Sequence, residues 1–167
     1  MLYFIYGIVC IVIVVAQSTA YPVFLSLNGL YDVFLPFLVY LAVFRPVGEP
    51  IVAGIFAGVM MDSLSGGAFG LYTLSYLWIT ICIRFAIRFF DGDSILFQLS
   101  AVGLGELLEN GLFWATEEIA GKIGQEGFGV TPVLTRQLLP AILTGPLLVM
   151  FFKWLFQKLE ASHGEVV

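Results

Sequence analysis

The sequence predicts an all-α, polytopic membrane protein in which six helices form one bundle. Of the 167 residues, 60% are hydrophobic and only 11% are charged, and the mean hydropathy is +1.00. So few charged side chains cannot cover a water-soluble domain of this size. Six spans of ~20 residues with short connections would use nearly the whole chain, so we expect residues 1–167 to form a single membrane domain.

Turn-forming residues divide the apolar segments and set the predicted spans. We place these spans at residues 2–20, 23–44, 51–64, 69–90, 95–120 and 133–156. The first segment lacks the basic residues of a secretory signal, and more apolar segments follow it, so we interpret it as a helix. The third span has only 14 residues, or roughly 21 Å, which predicts a short or partly re-entrant helix.

The basic residues indicate the orientation. With both termini in the cytoplasm, five of the seven lie on the cytoplasmic side, namely Arg45, Arg84, Arg88, Lys153 and Lys158, while Lys122 and Arg136 lie outside. The positive-inside rule favours this topology. Arg84 and Arg88 are expected to extend to lipid headgroups or to hold a partner. The net charge of -5 and the lack of a basic cluster exclude nucleic-acid binding.

Small residues and one acid form a regular stripe in the third span. Gly54, Gly58 and Asp62 recur every four residues and share one helical face, and Gly66 and Gly70 continue the spacing. Such a face permits close approach of another helix, either from the same bundle or from a separate protein. Asp62 ends its helix, where the dipole disfavours a negative charge, so we expect the hydroxyls and amides of residues 63–67 to offset it.

The fifth span carries a polar stripe made of Glu106, Glu109, Asn110 and Glu117. A carboxylate at the centre of a membrane costs ~3 kcal/mol, so this stripe cannot face lipid. We expect a polar network within the bundle or at a partner interface, with cation binding or proton relay as the alternative. Glu117 and Arg136 are predicted to pair near the outer surface. No cofactor is expected, because no His lies near the acids, and Cys10 and Cys82 are expected to be small apolar core residues.

Two stretches resemble a known family. Residues 31–46 combine Asp32, an apolar run, Tyr40 and the basic turn residue Arg45, which resembles the second-helix signature of the bacterial rod shape-determining MreD family. The pattern Gly54-x3-Gly58-x3-Asp62-x2-Ser65-Gly66-Gly67-x2-Gly70-Leu71 is similar to that family's third helix and the turn after it. The resemblance covers residues 31–77, and the rest of the chain agrees in composition only.

The resemblance implies a non-catalytic component of the cell-elongation machinery in the bacterial cytoplasmic membrane, which helps to organise peptidoglycan synthesis. It implies the single-span protein MreC as a partner, with MreB, RodA and the elongation-specific penicillin-binding protein as further candidates. The sequence leaves open whether a homodimer forms. Our hypothesis is that Gly54, Gly58 and Gly70 allow close packing while Asp32 and Asp62 shape an outer groove for the membrane helix or juxtamembrane segment of MreC.

The alternative function comes from the architecture. The MreD family resembles the six-helix substrate-capture subunits of vitamin transporters, which need an outward pocket with aromatic walls. Trp78, Trp114 and the outer acids are the candidates for such a pocket. An intramembrane hydrolase needs a nucleophile with a base, and the predicted spans contain no Ser–His or Cys–His set, so we do not expect an enzyme.

Overall fold

The computed structural model describes residues 2–20, 32–65, 69–119 and 138–164. For residues 2–4, 19–20, 117–119 and 160–164 it describes the backbone only. These residues form six α-helices and no strands, which confirms the all-α class. The helices are α1 Leu2–Val15, α2 Phe34–Phe44, α3 Gly48–Ser65, α4 Leu71–Ala86, α5 Ile95–Ile119 and α6 Leu139–Gly164. A π-helical segment, Ala16–Ala20, continues α1 to the predicted end of the first span.

The third helix differs from its prediction. It begins at Gly48 rather than residue 51 and runs unbroken for 18 residues, or roughly 27 Å. Glu49 and Pro50 lie in its first turn, where a proline is tolerated because the N–H that it lacks would have no partner within the helix. The helix is therefore longer than the predicted span 51–64, by three residues at its start and one at its end.

Helix α2 is the centre of the bundle. It contacts each of the other five helices, and every side chain from Phe34 to Ala42 is buried. This all-round burial explains why α2 is apolar on every face. Aromatic rings fix its position, since Phe37 packs 4.9 Å from Phe152 of α6 and Tyr40 stacks 5.4 Å from Phe156, measured between ring centroids.

The bundle has two chemically different ends. Tyr6, near the start of α1, packs 5.0 Å from the Phe156 ring near the end of α6, so the first and last helices meet at one end. We call this the basic end, because it carries Arg45, Arg84 and Lys153. The opposite end, called the acidic end, carries Asp32 at the start of α2 and Asp62 near the end of α3.

The outer surface of the bundle is apolar. Large exposed hydrophobic side chains occur on α1, α3, α4, α5 and α6, and they include Leu96 at 78% and Leu143 at 75% exposure. Within the part of the chain that the structure describes, one helical segment, Leu139–Leu159, is long and apolar enough to cross a membrane by length and composition. Ile5–Ser18, Phe34–Phe44 and Leu71–Ala86 are apolar but shorter.

Candidate functional site

The glycine face of α3 is covered by the chain's own helix α4. A Cβ on Gly58 would lie 2.5 Å from the Cα of Thr73, and one on Gly54 would lie 3.4 Å from the Cβ of Tyr76. The two helices therefore approach each other nearly backbone to backbone, as small residues permit. Of the two alternatives for this face, a helix of the same bundle rather than a separate protein covers Gly54 and Gly58 in this structure.

Two glycines beyond α3 were predicted to continue this face. Gly70 immediately precedes α4 with φ +100°, a left-handed conformation that favours glycine. A Cβ on Gly70 would meet nothing within 4 Å, so this glycine serves the turn rather than a helix contact. Gly66 lies outside the described residues.

Asp62 joins α3 to the start of α4. Its carboxylate accepts hydrogen bonds from the backbone N–H of Tyr72 at 2.9 Å and of Thr73 at 3.3 Å, and from the Thr73 hydroxyl at 2.7 Å. The positive end of the α4 dipole thus offsets the unfavourable position of Asp62 on its own helix. Ser63, which we expected to help, instead donates to the Val59 carbonyl.

A second set of acids is buried at the acidic end. Asp32, Glu106 and Glu109 have 4%, 2% and 7% of their surface exposed, and we call them the acidic cluster. Asp32 Oδ1 accepts the N–H of Phe34 at 2.8 Å and so caps α2. Its backbone N–H donates to Glu106 Oε1 at 2.9 Å. The cluster therefore ties α2 to α5.

Further polar side chains surround Asp32. The Tyr76 hydroxyl of α4 donates a hydrogen bond to Asp32 Oδ2, and the side chains of Glu109 and Gln17 also reach the Asp32 carboxyl. Side chains on three segments, the π-helical end of α1, α4 and α5, therefore converge on one carboxyl group, which also accepts a backbone N–H from the start of α2. This arrangement can accept several hydrogen bonds at once, which suits a cross-helix polar network.

The other residues of the predicted polar stripe have separate positions. Asn110 donates to the backbone carbonyl of Glu106 at 2.8 Å, so its amide serves its own helix. The Glu117 side chain and Arg136 lie outside the described residues, as does their predicted pairing. Among the residues that are described, no three His, Cys, Asp or Glu side chains are grouped to hold a metal ion.

Tyr40 and Arg45 fix the turn between α2 and α3 at the basic end. Arg45 Nε donates to the Tyr40 hydroxyl at 3.3 Å. The Arg45 carbonyl accepts a hydrogen bond from the Arg84 guanidinium. Arg84 therefore binds inside the bundle, whereas we expected it to extend to lipid headgroups or a partner. Tyr40 and Arg45 thus position helices in this structure.

An open concave surface of the bundle lies between α4 and α5. This lateral groove has a volume of about 460 Å³, and its lining includes Cys82, Ala86, Ser100, Ala101 and Leu104. Of these residues, sequence patterns singled out only Cys82, and its predicted core position is wrong because its side chain is exposed, whereas Cys10 is buried as predicted. The others are ordinary apolar and small residues of two helices.

The two tryptophans proposed for a substrate pocket lie on the outside of the bundle. Trp78 of α4 is 51% exposed and Trp114 of α5 is 42% exposed. Neither belongs to the lining of the lateral groove.

Comparison with known proteins gives no match, whether with protein-family models, curated proteins or solved structures. The resemblance of residues 31–77 to the MreD family therefore stays a prediction from the motifs. In the structure, the acids of the two motifs lie at the same end of the bundle, where Asp32 caps α2 and Asp62 caps α4.

Proposed function

We propose that the chain is a multi-pass protein of the bacterial cytoplasmic membrane. The exposed apolar side chains of the five outer helices support this proposal, since Leu104 and Leu147 are 65% and 66% exposed and have equivalents on every outer helix. In water, so extensive an apolar surface would drive aggregation, whereas in lipid it is the favourable exterior. The polar side chains of the acidic cluster point inward, as a lipid environment requires.

The basic end is then the cytoplasmic end. Arg45, Arg84 and Lys153 gather there, in agreement with the positive-inside rule. The start of α1 and the end of α6 lie at the same end. This orientation places both termini in the cytoplasm and the acidic cluster toward the outside.

Within that membrane, we propose a non-catalytic role in the cell-elongation machinery, as a member of the MreD family that binds MreC. The observation that carries this proposal is the lateral groove between α4 and α5. The glycine face is covered by α4, so a partner helix needs another concave surface. Ala86 and Ser100 in the groove are small enough for a second helix to approach closely.

Charge at one end of the groove favours a single-span partner. Asp91 is exposed and belongs to the groove lining at the basic end. A membrane helix usually carries Lys or Arg where it leaves the membrane into the cytoplasm. The flanking cations of MreC would therefore meet Asp91, while its apolar helix lies along α4 and α5. MreB, RodA and the elongation-specific penicillin-binding protein would be reached through this complex.

The test fills the groove and measures binding of MreC. Ser100 is exposed in the groove, and Ser100→Trp should reduce the MreC that co-purifies in mild detergent at least tenfold. Leu147→Trp is the matched control, because Leu147 is exposed on α6, away from the groove. Full retention of MreC by Ser100→Trp would reject the groove as the binding surface.

A further inference from the structure

A second concave surface lies at the basic end, between α1 and α3. This crevice has a volume of about 180 Å³ and is lined by Tyr6, Gly7 and Cys10 of α1 and by Glu49, Ala53 and Phe56 of α3, together with Val52. Glu49 is only 7% exposed. The Tyr6 hydroxyl interacts with the Glu49 carboxyl, whose Oε2 atom still has no hydrogen-bond partner among the residues that the structure describes.

A buried carboxylate oxygen without a partner indicates a missing donor. Leaving such an atom unsatisfied costs about 1–3 kcal/mol, and more when the group is charged. The crevice is far larger than the ~15 Å³ that one water needs. Its walls are otherwise mostly apolar or aromatic. The group that fits is therefore a cationic N–H donor attached to a short carbon chain.

We propose that this crevice binds the ammonium headgroup of a membrane aminophospholipid. The inference rests on the proposed membrane placement of the bundle and is independent of MreC binding. Glu49 lies in the first turn of α3, at the basic end, where the headgroups of the cytoplasmic leaflet would lie. Its free oxygen would accept an ammonium N–H in a charge-assisted hydrogen bond.

The surroundings of Glu49 match the rest of such a lipid. The Tyr6 ring lines the crevice. The Arg45 guanidinium lies 6.0 Å from the centroid of the same ring, which puts a positive charge within reach of the lipid phosphate. Val52 and Ile55 are exposed on α3 beside the crevice and would contact an acyl chain.

This chemistry predicts headgroup selectivity. A primary ammonium has three N–H donors, whereas a trimethylammonium has none to give to Glu49 Oε2. A glycerol headgroup can donate from its hydroxyls but carries no positive charge. Phosphatidylethanolamine should therefore bind in preference to phosphatidylcholine and phosphatidylglycerol with the same acyl chains.

Native mass spectrometry of the full-length protein in detergent tests the proposal with these three lipids. Unmodified protein should retain phosphatidylethanolamine at least fivefold more than either of the others. Glu49→Gln removes the charge and should reduce this preference below twofold. Asp93→Asn is the matched control, because Asp93 is an exposed acid outside both the crevice and the lateral groove. It should retain the full preference.

A second pair of variants tests the space rather than the charge. A Cβ on Gly7 or on Gly111 would meet nothing within 4 Å, so both sites accept a larger residue without a clash at that atom. Gly7→Leu should fill the crevice and abolish the preference while keeping Glu49. Gly111→Leu, on α5, should leave it unchanged.

Two outcomes would overturn the proposal. One is equal retention of all three lipids by the unmodified protein, which would mean that the crevice holds water only. The other is an undiminished preference in both Glu49→Gln and Gly7→Leu. MreC co-purification measured on the same samples should stay unchanged, so failure here is distinguishable from failure of the groove assignment.

Discussion

At the residue scale, the acidic cluster carries the largest electrostatic cost in the bundle. Asp32, Glu106 and Glu109 are all buried within one network. The contact between the Asp32 N–H and Glu106 Oε1 has a clear structural purpose, because that amide begins α2 and would otherwise be buried without an acceptor. This hydrogen bond needs an acceptor oxygen on residue 106 but does not need a negative charge there.

Glu106→Gln and Glu106→Leu separate these two properties. Gln keeps an acceptor for the Asp32 N–H and removes one acid from the cluster, so the melting temperature in detergent should stay the same or rise. Leu removes the acceptor, and the unpaired amide should lower the free energy of unfolding by about 1–3 kcal/mol. Thermal unfolding of the two variants measures the difference, and equal stability would contradict the assigned role.

The sequence predicted part of this residue chemistry. Placing Glu106 and Glu109 away from lipid followed from the cost of charge in a membrane. The partners could not be predicted, because Asp32 and Glu106 are 74 positions apart and meet only through helix packing. The same holds for Asp62. Its place at the end of α3 predicted that donors must stabilise its negative charge, but the donors themselves, Tyr72 and Thr73, reach it only because α4 packs against α3.

At the element scale, the contact between α3 and α4 brings two helix backbones close together. It depends on the missing side chain at Gly58, which faces the backbone of Thr73 rather than a flexible side chain. Backbone atoms cannot rotate away as side chains do, so a larger residue must separate the two helices. The spacing of Gly54 and Gly58 indicated a helix contact, but sequence alone could not decide between the chain's own helix and a partner's.

Gly58→Leu should therefore damage folding itself. Overpacking usually costs about 1–3 kcal/mol, and a Cβ placed 2.5 Å from a backbone carbon lies at the severe end of that range. Size-exclusion chromatography and thermal unfolding in detergent should show aggregation or a markedly lower melting temperature. Gly111→Leu is the control, since its Cβ would meet open space. A Gly58→Leu protein as stable as this control would refute the packing.

At the scale of the whole molecule, composition predicted the all-α class, and the described residues form six α-helices, as many as the predicted segments. Helix ends were less predictable. In the sequence, Pro50 indicated a turn before the third helix, whereas in the structure it lies in the first turn of α3. Neither the lateral groove nor the crevice followed from the sequence. Both are gaps between helices, and their shape depends on packing angles that no local pattern determines.

The proposed function places the helix of a membrane partner in the lateral groove. Site-specific photocrosslinking in membranes can locate that helix, with the probe at Leu104 in the groove or at Leu143 on α6, both strongly exposed. We expect a crosslink to MreC from position 104 and crosslinks to lipid alone from position 143. A crosslink to MreC from position 143 with none from position 104 would refute the proposed binding surface.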